Sequence, residues 1–132
     1  MSVLTQEMKD MVAAQQCFIG TVGKNNLPNV APKRSTRVLN DSTLIFTEGT
    51  GKQTLENIRN GSKIAVAVVN RETLDGYRFI GNGEIMDTGE LYEGAAAMSA
   101  KMGLPKPKAV ILIHVEEIHS LKPGPMAGTK IG

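Results

Sequence analysis

The sequence predicts a mainly β protein with short helices: a small closed or split β-barrel of about six mostly antiparallel strands. Short runs of apolar or alternating residues are separated by Gly, Pro, Asn and Asp, which is typical of strands joined by tight turns. Three helical segments lie among them, in the order helix, three strands, helix, two strands, helix and strand. Strands joined mainly by short turns favour an antiparallel barrel.

Local patterns predict each element in order. Apolar residues at helical spacing predict the first helix, and Gly61 is expected to end the second. The run 64–70 is continuous and apolar, so we expect a strand buried on both faces, while Gly81 and Gly83 predict a bend or bulge in the following strand. The predicted helices are 5–16, 53–60 and 90–102, and the predicted strands are 17–23, 28–39, 43–47, 64–70, 76–88 and 109–121.

The length of 132 residues fits one domain, 1–132, with an N-terminal helical segment at 1–16 and a Gly- and Pro-rich tail at 122–132. No apolar run is long enough to span a bilayer, and the N-terminus lacks the basic and apolar regions of a secretory signal. The single cysteine, Cys17, cannot form an internal disulfide, which fits a reducing compartment. We therefore expect a cytoplasmic protein without a membrane partner.

Positive charge is concentrated near the N-terminal third of the chain. Residues 18–40 contain no acidic residue but include Lys24, Lys33, Arg34 and Arg37. Such a segment can face a nucleic acid or a small phosphorylated ligand. Proteins that bind single-stranded nucleic acid usually offer stacking aromatics, and this chain has only three Phe, two Tyr and no Trp. We therefore expect the small ligand and no nucleic-acid partner.

The most informative segment follows the strand predicted at 43–47. Gly49 and Gly51 alternate with threonine and precede Lys52 and a short helix. Backbone N–H groups, hydroxyls and one ammonium at the start of a helix suit an anion such as a phosphate. The spacing matches neither G-x-x-x-x-G-K-[ST] nor G-x-G-x-x-G, so a nucleotide triphosphatase or a dinucleotide-binding fold is not supported. An ordinary strand-to-helix turn stays the alternative.

No catalytic residue and no metal ligand is predicted. His114 and His119 lie five residues apart on a predicted strand, so we expect them on opposite faces. The chain has no Cys-x-x-Cys, no His-Glu-x-x-His and no Gly-x-Ser-x-Gly, the patterns that would indicate a metal site or a nucleophile elbow.

Several segments, taken in order, resemble one family, the pyridoxamine phosphate oxidase-like FMN-binding split-barrel proteins, and the resemblance covers about residues 5–121. Each segment is a weak signal alone, and their joint order is what makes the resemblance specific. The chain is similar to short, stand-alone members of the family. The segments are Cys-Phe-Ile-Gly-Thr-Val at 17–22, Leu-Pro-Asn-Val-Ala-Pro-Lys at 27–33, Leu-Ile-Phe-Thr at 44–47, the Gly/Thr loop with Lys52, Leu-Glu-Asn-Ile at 55–58, Ile-Ala-Val at 64–66 and Gly-Tyr-Arg-Phe-Ile-Gly at 76–81.

The resemblance implies a homodimer with two FMN molecules bound at the subunit interface. In the family pattern, a cationic strand and the loop after the third strand hold the FMN phosphate, so Lys52 is expected to be the main phosphate cation. Thr50 and Gly51 are expected to offer a hydroxyl and an N–H group. Gln53 and Thr54 are expected to cap the helix and to reach the phosphate or the ribityl chain.

Two further groups of residues are expected along the rest of FMN. Those expected beside the ring system and the ribityl chain are Lys33, Arg34, Ser35 and Thr36. Those expected to line the isoalloxazine edge through backbone groups are Thr47, Glu48 and Gly49. A planar ligand with one charged end and a polar edge needs such a mixture of groups.

The chain departs from the vitamin B6-oxidising members of this family at two places. Those members carry an arginine where this chain has Gly51, and an Arg- and Trp-bearing C-terminal segment where residues 122–132 contain neither residue type. We therefore expect an FMN-dependent oxidoreductase acting on another small molecule, with FMN carrying the redox chemistry. Two alternatives stay open: an FMN-binding electron carrier without its own substrate, and a barrel that binds nucleic acid or another phosphate ligand without redox chemistry.

Overall fold

The computed structural model describes residues 3–132, so residues 1 and 2 of the predicted domain 1–132 and helical segment 1–16 lie outside the described part. Three α-helices and seven β-strands follow one another in nearly the predicted order. None of the helices of residues 3–132 has the length and apolar character that a membrane span requires. The helices are α1 (Gln6–Ala14), α2 (Gln53–Arg59) and α3 (Glu90–Lys101), and the strands are β1 (Cys17–Val22), β2 (Pro28–Pro32), β3 (Arg37–Asn40), β4 (Thr43–Glu48), β5 (Ile64–Asn70), β6 (Asp75–Met86) and β7 (Ala109–Ser120).

All seven strands form one antiparallel sheet in the order β2-β1-β5-β6-β7-β4-β3. The single strand predicted over 28–39 is therefore wrong: it is two strands, β2 and β3, which lie at opposite edges of the sheet. In a flat sheet these edges would be about 29 Å apart, six gaps of about 4.8 Å. The chain from Pro32 to Arg37 reaches at most about 18 Å. The sheet must therefore curl until its edges approach, which confirms the predicted split barrel.

The main core fills the inner side of this curled sheet, where Phe46 and Phe79 are fully buried. Thr5 begins α1 as its N-cap, accepting the Met8 N–H at 3.3 Å, so that one face of the helix packs against this core. Gly61, at φ 93°, ends α2 as predicted. A second, smaller core lies between α3 and the outer side of β4 and β7, and its buried members are Ile45, Tyr92, Ala95, Val110 and Leu112.

The prediction that β5 is buried on both faces is wrong, because only alternate residues of this strand reach the core. Its outward residues belong to an apolar surface that continues across β1 and β2, since Gly20 pairs with both Val30 and Ala65, and Phe18 pairs with Ala67. Within one chain this surface is open: Val30 is 69% exposed and Phe18 41%. We refer to it as the apolar face, and its residues are Phe18, Val22, Val30, Ala65, Ala67 and Val69.

A bulge interrupts the long pairing of β6 with β7, as the glycines of β6 predicted. Adjacent residues Ile80 and Gly81 pair with Glu117 and Val115, so β7 holds one extra residue at this point. The two backbones approach closely there: a Cβ placed on Gly81 would lie 2.3 Å from the carbonyl oxygen of His114. Only glycine fits this position.

The bulge also places both histidines of β7 on the outer side of the sheet, so the prediction of opposite faces is wrong. His119 Nδ1 accepts a hydrogen bond from Arg78 Nε at 2.9 Å, and because a guanidinium can only donate, the ring proton lies on Nε2, which faces Glu117 Oε1 at 3.1 Å. His114 Nε2 lies 2.8 Å from Glu84 Oε1. In the described part of the chain, no three His, Cys, Asp or Glu side chains are grouped to hold a metal ion.

Candidate functional site

The two predicted ligand-binding segments come together where the barrel is split. Residues 33–36 connect β2 to β3, and residues 47–54 run from the end of β4 into α2. The Ser35 hydroxyl joins them, since its Oγ donates to the Thr47 carbonyl at 3.2 Å and accepts from the Thr47 N–H at 2.8 Å. A second link is the ion pair between Lys33 and Glu48. The structure thus brings together residues that the sequence separates by more than ten positions.

The Lys33–Glu48 pair is the buried electrostatic element of the site. Glu48 is 1% exposed, the Lys33 side chain is 18% exposed, and Lys33 Nζ lies 5.8 Å above the centre of the Phe46 ring. Glu48 Oε2 accepts hydrogen bonds from Lys33 Nζ at 3.2 Å and from the Gly51 N–H at 3.4 Å. Oε1 is 3.0 Å from the same ammonium but accepts no hydrogen bond, so its contact is electrostatic. The charge of Lys33 is thus largely used to compensate Glu48.

Hydrogen bonds within the segment 33–37 fix its conformation. The Thr36 hydroxyl donates to the Lys33 carbonyl at 2.7 Å, and the Arg37 guanidinium donates to the Ser35 carbonyl at 2.8 Å. Burial lowers the pKa of Arg37 from its usual value, although the group remains a cation. The hydroxyls of Ser35 and Thr36 and the Thr47 backbone therefore make hydrogen bonds within the protein. Their contacts with a ligand stay predictions.

The loop 49–52 is the exposed part of the site. Gly51 has φ 69°, a conformation that favours glycine, and a Cβ placed on Gly49 would meet no atom within 4 Å. Lys52 is the exposed N-cap residue of α2, which has only seven residues and no side-chain cap hydrogen bond. Space and a free ammonium are therefore found at the loop predicted to hold a phosphate, whereas the Gly51 N–H donates to Glu48 Oε2 at 3.4 Å.

The prediction that Gln53 and Thr54 cap this helix is wrong. Both residues lie inside the first turn of α2, whereas a capping side chain belongs to the preceding residue. Gln53 Nε2 donates instead to Asn57 Oδ1 at 2.6 Å, and the buried Thr54 hydroxyl accepts from Asn29 Nδ2 at 3.1 Å. The Thr54 contact thus connects the helix to β2, and the Gln53 contact lies within the helix.

A buried polar network that the sequence reasoning missed fixes α2 to the sheet. Asn57 is 2% exposed and donates from Nδ2 to the Thr21 hydroxyl of β1 at 3.1 Å. Together with the Asn29–Thr54 contact to β2, it holds the helix that carries Lys52 against two strands. The available signal was a pair of polar residues, Thr54 and Asn57, on the buried side of a short helix.

The remaining charges of the site are not compensated. Arg34 and Lys52 are exposed, and neither makes an ion pair within residues 3–132. Free cations of this kind, close to polar backbone and to a neutralised buried carboxylate, suit an anionic ligand.

This chain is similar to known proteins over nearly its whole length. The family model described as pyridoxamine 5'-phosphate oxidase matches residues 4–122. The crystal structure of HupZ from Group A Streptococcus is 44% identical with a TM-score of 0.85, covering 98% of this chain and 99% of HupZ. A Lactobacillus delbrueckii protein structure is 27% identical with a TM-score of 0.77, covering 88% of this chain and 93% of that one. An uncharacterised protein of Methanocaldococcus jannaschii is 31% identical, covering 97% of this chain and 87% of its own length.

Proposed function

Because this chain belongs to the pyridoxamine 5'-phosphate oxidase family, we propose that it binds FMN and acts as an FMN-dependent oxidoreductase on a small molecule. The observation that carries the proposal is the charge arrangement at the split of the barrel. Lys33 neutralises the buried carboxylate of Glu48, whereas Arg34 and Lys52 remain exposed and free of ion pairs in the described chain. Two free cations beside a neutral buried pair match a phosphate dianion attached to an uncharged ring system.

The local shape supports the same ligand. The open space at Gly49 leaves that part of the loop free of side chains that would block a phosphate, and Gly51 gives the loop its left-handed turn. Lys52 and the Thr50 hydroxyl would bind the phosphate, and Arg34 would approach from the segment 33–36. The Thr47 backbone is occupied by Ser35, so Gly49 is the backbone position best placed to meet the ring edge.

Bound FMN would supply the redox chemistry by accepting and releasing electrons or a hydride at its ring. The residues of this chain have three other tasks. Lys52 and Arg34 bind the charged end of the ligand, the Asn57 network fixes the loop that carries Lys52, and the Lys33–Glu48 pair keeps the base of the site neutral. No side chain of the site is assigned a catalytic proton.

We also propose that the protein is a homodimer with FMN at the subunit interface. The support is the apolar face, whose aromatic residue Phe18 pairs with Pro32, directly before Lys33 and Arg34. A second copy covering this face would lie beside the candidate site and could enclose the ligand. A stable dimer of this kind buries more than about 1,000 Å² in total.

A titration of the purified protein with FMN and with riboflavin tests the proposed function. We expect one FMN per chain, and tighter binding of FMN than of riboflavin, because only FMN carries the phosphate. Oxidation of NAD(P)H by the loaded protein in a stopped-flow experiment would then distinguish a reductase from an electron carrier. A protein that binds neither flavin would contradict the proposal and favour a non-redox ligand.

A further inference from the structure

We propose that Lys108, which precedes β7, is a further phosphate-binding cation of the site beside Lys52 and Arg34; this inference rests on the proposed function and concerns the phosphate end of FMN. Lys108 is 56 positions from Lys52 in the sequence, and no local motif connects the two residues. Only the fold brings Lys108 to the loop 49–52.

The backbone of Lys108 is fixed at the base of that loop. Its N–H donates to the Glu48 carbonyl at 2.9 Å, just beyond the pairing of Glu48 with Ala109. The anchor is therefore an extension of the β4–β7 ladder, in which the adjacent pair of Glu48 and Ala109 is buried. A residue held in this way has a defined distance to the loop.

The side chain of Lys108 lies over the loop. A Cβ placed on Gly51 would be 3.0 Å from Lys108 Cγ and 3.6 Å from its Cδ. The ammonium is two single bonds beyond Cδ, so it lies within about 6 Å of the same point. Because Gly51 has no side chain, the Lys108 stem has space to pack over it. This packing brings the Lys108 ammonium to the loop.

The charge of Lys108 is available to a ligand. Lys108 is exposed and makes no ion pair in the described part of the chain, whereas Lys33 is committed to Glu48. Its neighbour Lys106 is different, because its ammonium lies 5.8 Å from the centre of the Tyr92 ring, over α3. A phosphate dianion carries about two charges, and Lys52 supplies only one on this loop.

Replacement of Lys108 by methionine tests the proposal, since Lys108→Met keeps the stem over Gly51 and removes only the ammonium. We expect the dissociation constant of FMN to rise about tenfold and that of riboflavin to stay unchanged. Lys108→Arg should retain most of the FMN affinity. Lys106→Met is the matched control, two residues away on the same segment, and should bind both flavins like the unsubstituted protein.

The outcomes separate this inference from the proposed function. If Lys52→Ala loses FMN affinity and Lys108→Met does not, Lys108 is not a phosphate ligand, although the FMN site stands. Equal losses of FMN and riboflavin in Lys108→Met would show a structural role and would also overturn the inference. An unsubstituted protein that binds neither flavin would overturn both the proposed function and the role of Lys108.

Discussion

At the scale of single residues, the site depends on which cations are already neutralised. Lys33 faces the Glu48 carboxylate at 3.0–3.2 Å, in a setting where removing one partner would leave a buried charge. Lys52 has no such partner within residues 3–132 and is free to move toward a ligand. Two lysines of equal formal charge are thus assigned different roles: Lys33 compensates the buried Glu48 carboxylate, and Lys52 is proposed to bind the phosphate.

Lys52→Ala should weaken FMN binding by roughly 1.5–3 kcal/mol, the scale of a charge-assisted hydrogen bond. Riboflavin lacks the phosphate, so its affinity should barely change. Fluorescence titration of both flavins measures the difference. Arg34→Ala should also lower the FMN affinity, and because both groups are assigned to the same phosphate, the loss in the double variant should differ from the sum of the two single losses. Equal losses for FMN and riboflavin would contradict the phosphate assignment of the loop.

Cys17 provides a residue-scale prediction about pH. Burial raises the pKa of its thiol from 9.0 to about 11. The folded protein therefore holds this proton more tightly than the unfolded chain, and stability should fall as the pH rises from about 9 to 11. Compared with Cys17→Ala, the unsubstituted protein should lose an additional ~2 kcal/mol over this range. Urea unfolding at pH 8 and pH 10.5 measures it, and parallel pH profiles would contradict the burial of the thiol.

At the scale of elements, the positions of the strands follow from local pattern, but their partners do not. The apolar and alternating runs in the sequence predict most strand ends to within two residues, and they predict both ends of Ile64–Asn70 correctly. Whether 28–39 is one strand or two depends on contacts of β2 and β3 with distant strands, which no local pattern contains. Gly81 indicated the bulge locally, but the extra residue lies in β7, and the side of the sheet on which His119 lies depends on the pairing of β7 with β6.

For the same reason, the sequence predicted only part of the candidate site. The segments 33–36 and 47–54 carry local signals of charge and glycine, and they do lie together. The network of Asn57 with Thr21 and the approach of Lys108 to the loop depend on tertiary packing between distant elements. Sequence patterns of short period cannot encode such contacts.

The bulge between β6 and β7 gives an element-scale prediction. Gly81→Ala would place a Cβ 2.3 Å from the His114 carbonyl oxygen, so one backbone must move, and we expect a loss of at least about 2 kcal/mol of unfolding free energy. Gly94→Ala is the control, because Gly94 lies in α3 with no atom near its Cβ position, and it should stabilise by roughly 0.5–1 kcal/mol. Urea unfolding measures both; a neutral Gly81→Ala would contradict the close approach.

At the scale of the whole molecule, the main core fills the inner side of the curled sheet, and the outer side has two different regions. One region is covered by α3, and the other is the apolar face, which ends beside the candidate site. The sheet therefore leaves uncovered the surface from which a second copy could complete that site. Assembly and ligand binding are expected to depend on each other.

Substitution of one apolar-face residue tests this dependence. Val30 is 69% exposed on β2, and Val30→Glu should convert the dimer to a monomer and weaken FMN binding more than tenfold, because a charge would be buried at the interface. Met102→Glu introduces the same charge at a 62% exposed apolar position after α3 and should change neither property. Sedimentation velocity and FMN titration measure both variants, and a dimeric Val30→Glu variant would place the interface elsewhere.

The most direct test of the central claim is gel filtration of the FMN-loaded protein with simultaneous detection of protein and flavin absorbance. We expect flavin absorbance to elute with the protein, at one FMN per chain, and at twice the 14.1 kDa chain mass. A colourless protein peak after loading, with all FMN in the small-molecule volume, would contradict it.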